Sequence, residues 1–117
     1  MLCQDRTSRV ALVALVVLLV TSAETRAAEE LVTQRNLQFQ QDGAKVTALA
    51  IKPGDTLLFR NDDRFAHNVF SRTAGFEFDL GTMRTGASGA RTFSQPGTLD
   101  VECALHPQMK FRLTVAP

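Results

Sequence analysis

Cysteine is scarce in this chain of 117 residues, histidine equally so, and tryptophan and tyrosine are absent altogether. The two cysteines are Cys3 and Cys103, and Cys3 lies ahead of an apolar run, 10–20, that follows Arg6 and Arg9. Small and polar residues come next, Thr21, Ser22, Ala23 and then Thr25-Arg26-Ala27. This basic, apolar, small-residue order is that of a secretory signal. The apolar run is eleven residues long, whereas a helix crossing the hydrocarbon core needs about 20. A lasting membrane span is therefore not expected, and cleavage is expected after Ala27, with Ala23 and Ala28 as alternatives. Cys3 precedes the apolar run and is not placed as a lipid attachment site.

Removal of 1–27 leaves a single domain, 28–117, which is small but able to bury one modest core. Lys plus Arg falls from 13 to 10 and Asp plus Glu from 12 to 10, so the mature chain is formally neutral. It has no long run of like charges and no basic footprint for nucleic acid. Cys103 is then the one remaining cysteine, which excludes an internal disulfide. In an exported, periplasmic protein an unpaired cysteine suggests intermolecular pairing, a reactive thiol or a thiolate used by a metal.

No stretch of the mature chain is long enough for a convincing amphipathic helix, and there is no internal repeat, low-complexity segment or linker. What is there is a series of short apolar-alternating runs cut by turn signals: Asp42-Gly43, Pro53-Gly54, Asn61-Asp62-Asp63, Ala74-Gly75, Gly86 to Gly89 and Pro96-Gly97. That pattern predicts an all-β sandwich or barrel. Strands are expected at 31–40, 45–51, 56–60, 67–71, 76–80, 91–94, 98–104 and 109–116. Two of them alternate cleanly, as strands with one packed and one solvated face do. Leu99, Val101 and Cys103 share one face, and Met109, Phe111, Leu113 and Val115 share another. Cys103 thus reaches the end of one strand on the core face, and Met109 begins the next.

The loop between them reads Cys103-Ala104-Leu105-His106-Pro107-Gln108-Met109. A thiolate, an imidazole and a thioether recur at three-residue steps, and a tight loop can turn all three toward one point. Blue-copper sites use two His nitrogens and one Cys sulfur near a plane, with a long, weak axial Met. The second imidazole must be His67, the only other histidine, in Phe65-Ala66-His67-Asn68-Val69-Phe70. A ligand from that distant strand is expected to close the site and tie the two sheets together. Taken singly, a buried Cys is more often a small core hydrophobe, a lone His a surface or satisfied core residue, and Met109 a packing residue. Given Cys103, however, His at the third and Met at the sixth following position would coincide by chance roughly once in a few thousand. Gln108 is the weaker axial candidate, since glutamine can play that part.

On His67-Asn68-Val69 and Cys103-x-x-His106-Pro107-x-Met109 the chain resembles the cupredoxins of the plastocyanin and amicyanin group. The loop length and proline are most similar to amicyanin. Pro53-Gly54-Asp55-Thr56 looks like the family's turn before a buried strand, and the likeness covers about 31–115. The resemblance implies a Greek-key β-sandwich of seven to eight strands, one type 1 copper ion and one-electron transfer rather than enzymatic catalysis. It also implies that Asn68 braces the ligand loop while a backbone amide reaches the cysteine sulfur. His106 would present an edge at the surface among Leu105, Pro107 and Pro53, forming an electron port for transient partners such as a dehydrogenase or c-type cytochrome, with the carrier itself monomeric. The chain departs from the family at Leu99 and Val101, where aromatics are frequent, at Leu105, where proline is common, and in lacking Tyr and Trp.

Other functions fit the residues less well. A copper-delivery protein would favour exposed Met and His clusters. A redox-silent sandwich would tolerate loss of His67 or Cys103. Zinc takes thioether ligands poorly, and a hydrolase would need a third group to orient a base beside Cys103.

Overall fold

The computed structural model describes residues 13–23 and 26–117; Cys3, Arg6 and Arg9 lie outside the described residues. No helix among the described residues is long and apolar enough to cross a membrane. The chain from Glu29 onward forms ten strands: β1 (Glu29–Arg35), β2 (Gln38–Gln41), β3 (Ala44–Lys45), β4 (Ala48–Ile51), β5 (Asp55–Asn61), β6 (His67–Ser71), β7 (Phe78–Met83), β8 (Ser88–Phe93), β9 (Gly97–Glu102) and β10 (Lys110–Val115). They make two five-stranded sheets, ordered β3-β2-β1-β5-β8 and β4-β10-β9-β6-β7. The all-β sandwich is as expected, with more strands than the expected seven to eight.

The extra strands arise where two expected strands break. The expected strand 31–40 folds back on itself because Asn36 and Leu37 take positive φ, 52° and 56°. Two successive positive φ values are those of a tight hairpin turn, and Gln34 pairs with Phe39 across it. The expected strand 45–51 is interrupted at Val46 and Thr47, where the chain leaves the first sheet as β3 and enters the second as β4.

Alternation then fills the interior. Val32, Leu57 and Phe59 from the first sheet and Val69, Leu99, Val101, Phe111, Leu113 and Val115 from the second are all buried. Phe39 of β2 bridges the layers, its ring centroid 5.2 Å from that of Phe111 and 6.2 Å from that of Phe59, both edge-on. Edge-to-face rings at these separations place the positive edge of one on the negative face of the other.

The strands that matter for chemistry are β6, β9 and β10, neighbours in the second sheet. β9 and β10 are antiparallel, Lys110 opposite Glu102, and the 103–109 loop closes them at one end of the sandwich. β6 runs antiparallel to β9, so its first residue, His67, arrives at that same end. Phe59 is fully buried in the first sheet against Phe39. Phe59→Ala is therefore expected to lower the unfolding free energy by about 3–5 kcal/mol, read from guanidinium denaturation; a loss below a quarter of that would contradict a well-packed interlayer core.

Candidate metal centre

Two backbone devices aim the 103–109 loop inward. The Cys103 N–H donates to the Met109 carbonyl at 3.0 Å, and the Met109 N–H donates to the His106 carbonyl at 2.9 Å. The strand ladder is thereby carried one pair beyond Glu102 and Lys110, and the intervening residues form a compact turn. Cys103 and Met109 keep the inward phase of their strands and are 2% and 1% exposed. Between them His106 is half-buried, while Ala104, Leu105, Pro107 and Gln108 face out.

His67, Cys103 and His106 offer donor atoms that all lie within 4.8 Å of one another. The Cys103 sulfur is 3.9 Å from Nδ1 of His67 and 3.9 Å from Nδ1 of His106. These separations suit three donors facing one ion, since metal bonds to imidazole and thiolate run about 2.0–2.3 Å. The rings of His67 and His106 meet edge to face with centroids 4.7 Å apart. Met109 completes a His-Cys-His-Met cluster. Gln108 is exposed.

His67 is completely buried, so the state of both its nitrogens matters. Its Nε2–H donates to Oδ2 of Asp63 at 3.0 Å, which leaves the Nδ1 lone pair free toward Cys103. A carboxylate behind a ligating imidazole fixes tautomer and ring orientation and raises basicity. Burial would push the Asp63 carboxyl up, but it is held below the ordinary carboxylate range by the backbone N–H of Leu37, by His67 and by the backbone N–H of Arg64. Asp63 is thus ionised in place. It is itself anchored through its N–H to Oδ1 of Asn61, and Asn61 Nδ2 donates to the carbonyls of Phe65 and Met83.

Asn68 occupies the position expected beside the site. Its backbone N–H points at the Cys103 sulfur at 3.4 Å, and its Oδ1 accepts the Ala104 N–H at 2.8 Å. Its Nδ2 donates to Asp79 Oδ1 at 2.8 Å, and its carbonyl accepts from Nε2 of Gln34 at 3.1 Å. The sequence marks Asp63 only as part of a turn and Gln34 only as part of a strand, and neither is expected at the site. Asp63 stands in a run of turn-forming residues, and four residues' separation from His67 means proximity only in a helix.

Two expectations need correction. His67 does not tie the sheets together, because β6, β9 and β10 belong to one sheet; Gln34, on β1, makes the cross-layer bond instead. Nor does Pro53 stand near His106. β4 runs parallel to β10 with Ile51 beside Val115, so the turn after Ile51 sits at the far end of the sandwich from the residues that precede Lys110. Phe65 takes that place, 40% exposed with its ring centroid 6.1 Å from that of His106.

Neither family models nor curated proteins match this chain. Solved structures do. The Cu(I) form of a methionine-to-alanine variant of amicyanin superposes with a TM-score of 0.66 at 24% identity, over 80% of this chain and 87% of that one. The chain has the amicyanin fold. An oxidised proline-to-alanine amicyanin variant gives a TM-score of 0.65 at 23% identity, over 74% and 81% of the two chains. A copper-containing nitrite reductase from Thermus scotoductus SA-01 gives 0.66 at 23% identity over 76% of this chain, but over only 22% of the longer enzyme. The amicyanin-like sandwich is therefore shared between a small protein and one part of a large enzyme.

The donor chemistry discriminates among metals. Two imidazoles, a thiolate and a thioether form the soft set suited to copper, whereas structural zinc takes Cys and His without thioether. Since Asp63 orients His67 within this cluster, Asp63→Ala is expected to weaken copper binding by about 10–100-fold. Competition titration against a chelator of known affinity measures it; unchanged affinity would mean that burial alone orients His67.

Proposed function

We propose that this chain is a small exported blue-copper protein that carries single electrons between redox proteins. The observation that carries the reading is the convergence of the His67, Cys103 and His106 donor atoms, with the first two residues buried and His106 half-buried. Copper bound there would supply a Cu(I)/Cu(II) couple. The remaining work belongs to the polypeptide.

A carrier is fast when its donor atoms stay put as charge changes, and His67, Cys103 and Met109 are held from behind. Asp63 fixes His67, the loop hydrogen bonds fix Cys103 and Met109, and Asn68 fixes the turn that follows Cys103. The Asn68 N–H also places a positive dipole against the thiolate, so it bears on the potential as a neighbouring hydrogen bond does. Burial of Cys103, His67 and Met109 keeps water from the sulfur and the first imidazole.

His106 is the route outward. Its ring sits beside Phe65, with Leu105 (51% exposed) and Pro107 completing an apolar rim. The guanidinium of Arg64 lies 5.0 Å above the Phe65 ring and adds one positive charge at the edge. Such a rim suits a brief encounter with a dehydrogenase or c-type cytochrome, of the size of transient redox interfaces, below roughly 1,200 Å² in total. In this reading the protein is a monomeric carrier and not an enzyme, and it works in the periplasm after 1–27 have been removed. A copper-delivery role would call for surface-accessible sulfur ligands, and the sulfurs of this cluster belong to residues 1–2% exposed.

The visible spectrum of the mature protein after Cu(II) addition tests this directly. An intense blue band that bleaches with mild reductant and returns on oxidation is expected, and a colourless product with verified metal content would overturn the reading. Cys103→Ala is expected to abolish the band. Met109→Leu is expected to retain copper with a raised reduction potential in voltammetry, because loss of the thioether removes an axial donor that favours Cu(II); an unchanged potential would mean that the thioether is not an axial ligand.

A further inference from the structure

At the end of the sandwich away from the metal cluster, Asp55 is buried to 7% exposure. Its Oδ2 accepts the Lys52 N–H and its Oδ1 accepts the Ala28 N–H, each at 2.9 Å. These two backbone donors, Ala28 first, and to a lesser degree the Lys52 charge hold its carboxyl below the ordinary range. Asp55 is therefore an ionised, buried carboxylate, and the ion pairs among the described residues do not include it. Buried charges are ordinarily paired with an opposite charge.

Ala28 is also where the fold begins. Its carbonyl accepts the Thr56 N–H at 2.9 Å, and Glu29, the next residue, opens β1 beside Thr56. Arg26 and Ala27 lie outside any strand, along an open cleft that Glu30, Lys52 and Asp55 also line.

We propose that the Ala27–Ala28 bond is the processed bond and that the α-ammonium it releases forms an ion pair with Asp55, locking the mature N-terminus onto β5. This inference rests on the reading of 1–27 as an export signal. Water adds across the amide under a signal peptidase: Ala27 leaves as a carboxylate, and the Ala28 nitrogen takes up a proton to become an ammonium. A single neutral N–H directed at Asp55 becomes a fully charged group at the same position. The alternatives do not achieve this. Cleavage after Ala23 leaves the Ala28 nitrogen an uncharged mid-chain amide. Cleavage after Ala28 removes both of its hydrogen bonds and strips Asp55 Oδ1 of its donor.

The pair confers a defined pH dependence. Glu30 from β1, Lys52 from the turn before β5 and Asp55 itself are the ionisable side chains lining the cleft once Arg26 has left, with Glu29 adjacent in sequence and Pro117 also on its wall. Pairing raises the α-amine above its ordinary value of about 7.7–8.0. Its stabilisation is thus complete below that value and lost as pH rises through the raised folded value. Asp55, whose folded value is lowered, keeps its share until pH falls below the ordinary carboxylate range.

The test compares the copper-loaded protein beginning at Ala28 with the same protein acetylated on the Ala28 nitrogen, which keeps an N–H donor but removes the charge. At pH 6 the acetylated form is expected to melt about 4–8 °C lower, and the difference is expected to vanish by pH 10. Asp55→Asn is expected to melt alike with either N-terminus. Equal melting of the two wild-type forms at pH 6 would overturn the pair. Should Asp55→Asn fail to fold, NMR titration of the Ala28 amine in the unmodified protein decides: a pKa above the ordinary range supports the pair, and one within or below it refutes it. N-terminal sequencing of the exported protein tests the processing step separately, with Ala28 expected as the first residue and any other start overturning the assignment.

Discussion

Asn68 uses four hydrogen-bonding groups, and each reaches a different part of the molecule. Its N–H meets the Cys103 sulfur, its Oδ1 the Ala104 amide, its Nδ2 the Asp79 carboxylate and its carbonyl the Gln34 side chain. One residue, 6% exposed, thereby joins the ligand loop, β7 and the opposite sheet to the strand that carries His67. In a medium that excludes water, leaving such groups unmatched costs about 1–3 kcal/mol each. The position of the sulfur is thus tied to a network whose bonds polarise one another.

Around this residue lies a belt of buried polar groups that an apolar sandwich would not otherwise need. Asn61 and Asp63 hold the loop that delivers His67, and Asp63 holds the ring itself. Gln34 is fully buried, donates to Asn68 and has an Oε1 without a hydrogen-bond partner. Such groups hold the donor atoms in one arrangement, as the proposed redox role requires. The two ends of the sandwich divide the labour: one concentrates the donor atoms and the exposed Phe65 and Leu105, and the other anchors the beginning of the fold at Asp55.

Part of this was legible in the chain. The alternation in 98–104 and 109–116 gave the inward phase of Cys103 and Met109, because side-chain direction in a strand repeats every two residues. The break of the expected strand 31–40 was not legible, since Asn36-Leu37 lacks the glycine that usually signals two positive φ values. Asp63 was hidden for a different reason: an aspartate in Asn61-Asp62-Asp63 reads as turn chemistry, and only the packed loop turns its carboxylate onto Nε2 of His67. Pro53 was misplaced because proximity in a sandwich depends on strand direction, and β4 proved parallel to β10.

The sequence by itself determined the donor set, because Cys103, His106 and Met109 lie within one short turn whose geometry is local, and His67 was the only other imidazole available. It also determined the all-β class, through period-two alternation punctuated by turns. Tertiary structure alone decided which sheet carries the site, which carboxylate stands behind His67, which amide meets the sulfur and which apolar ring frames His106. Those contacts join residues far apart in the chain or in irregular loops, and their distances follow from sheet order and strand direction, neither of which any local pattern encodes.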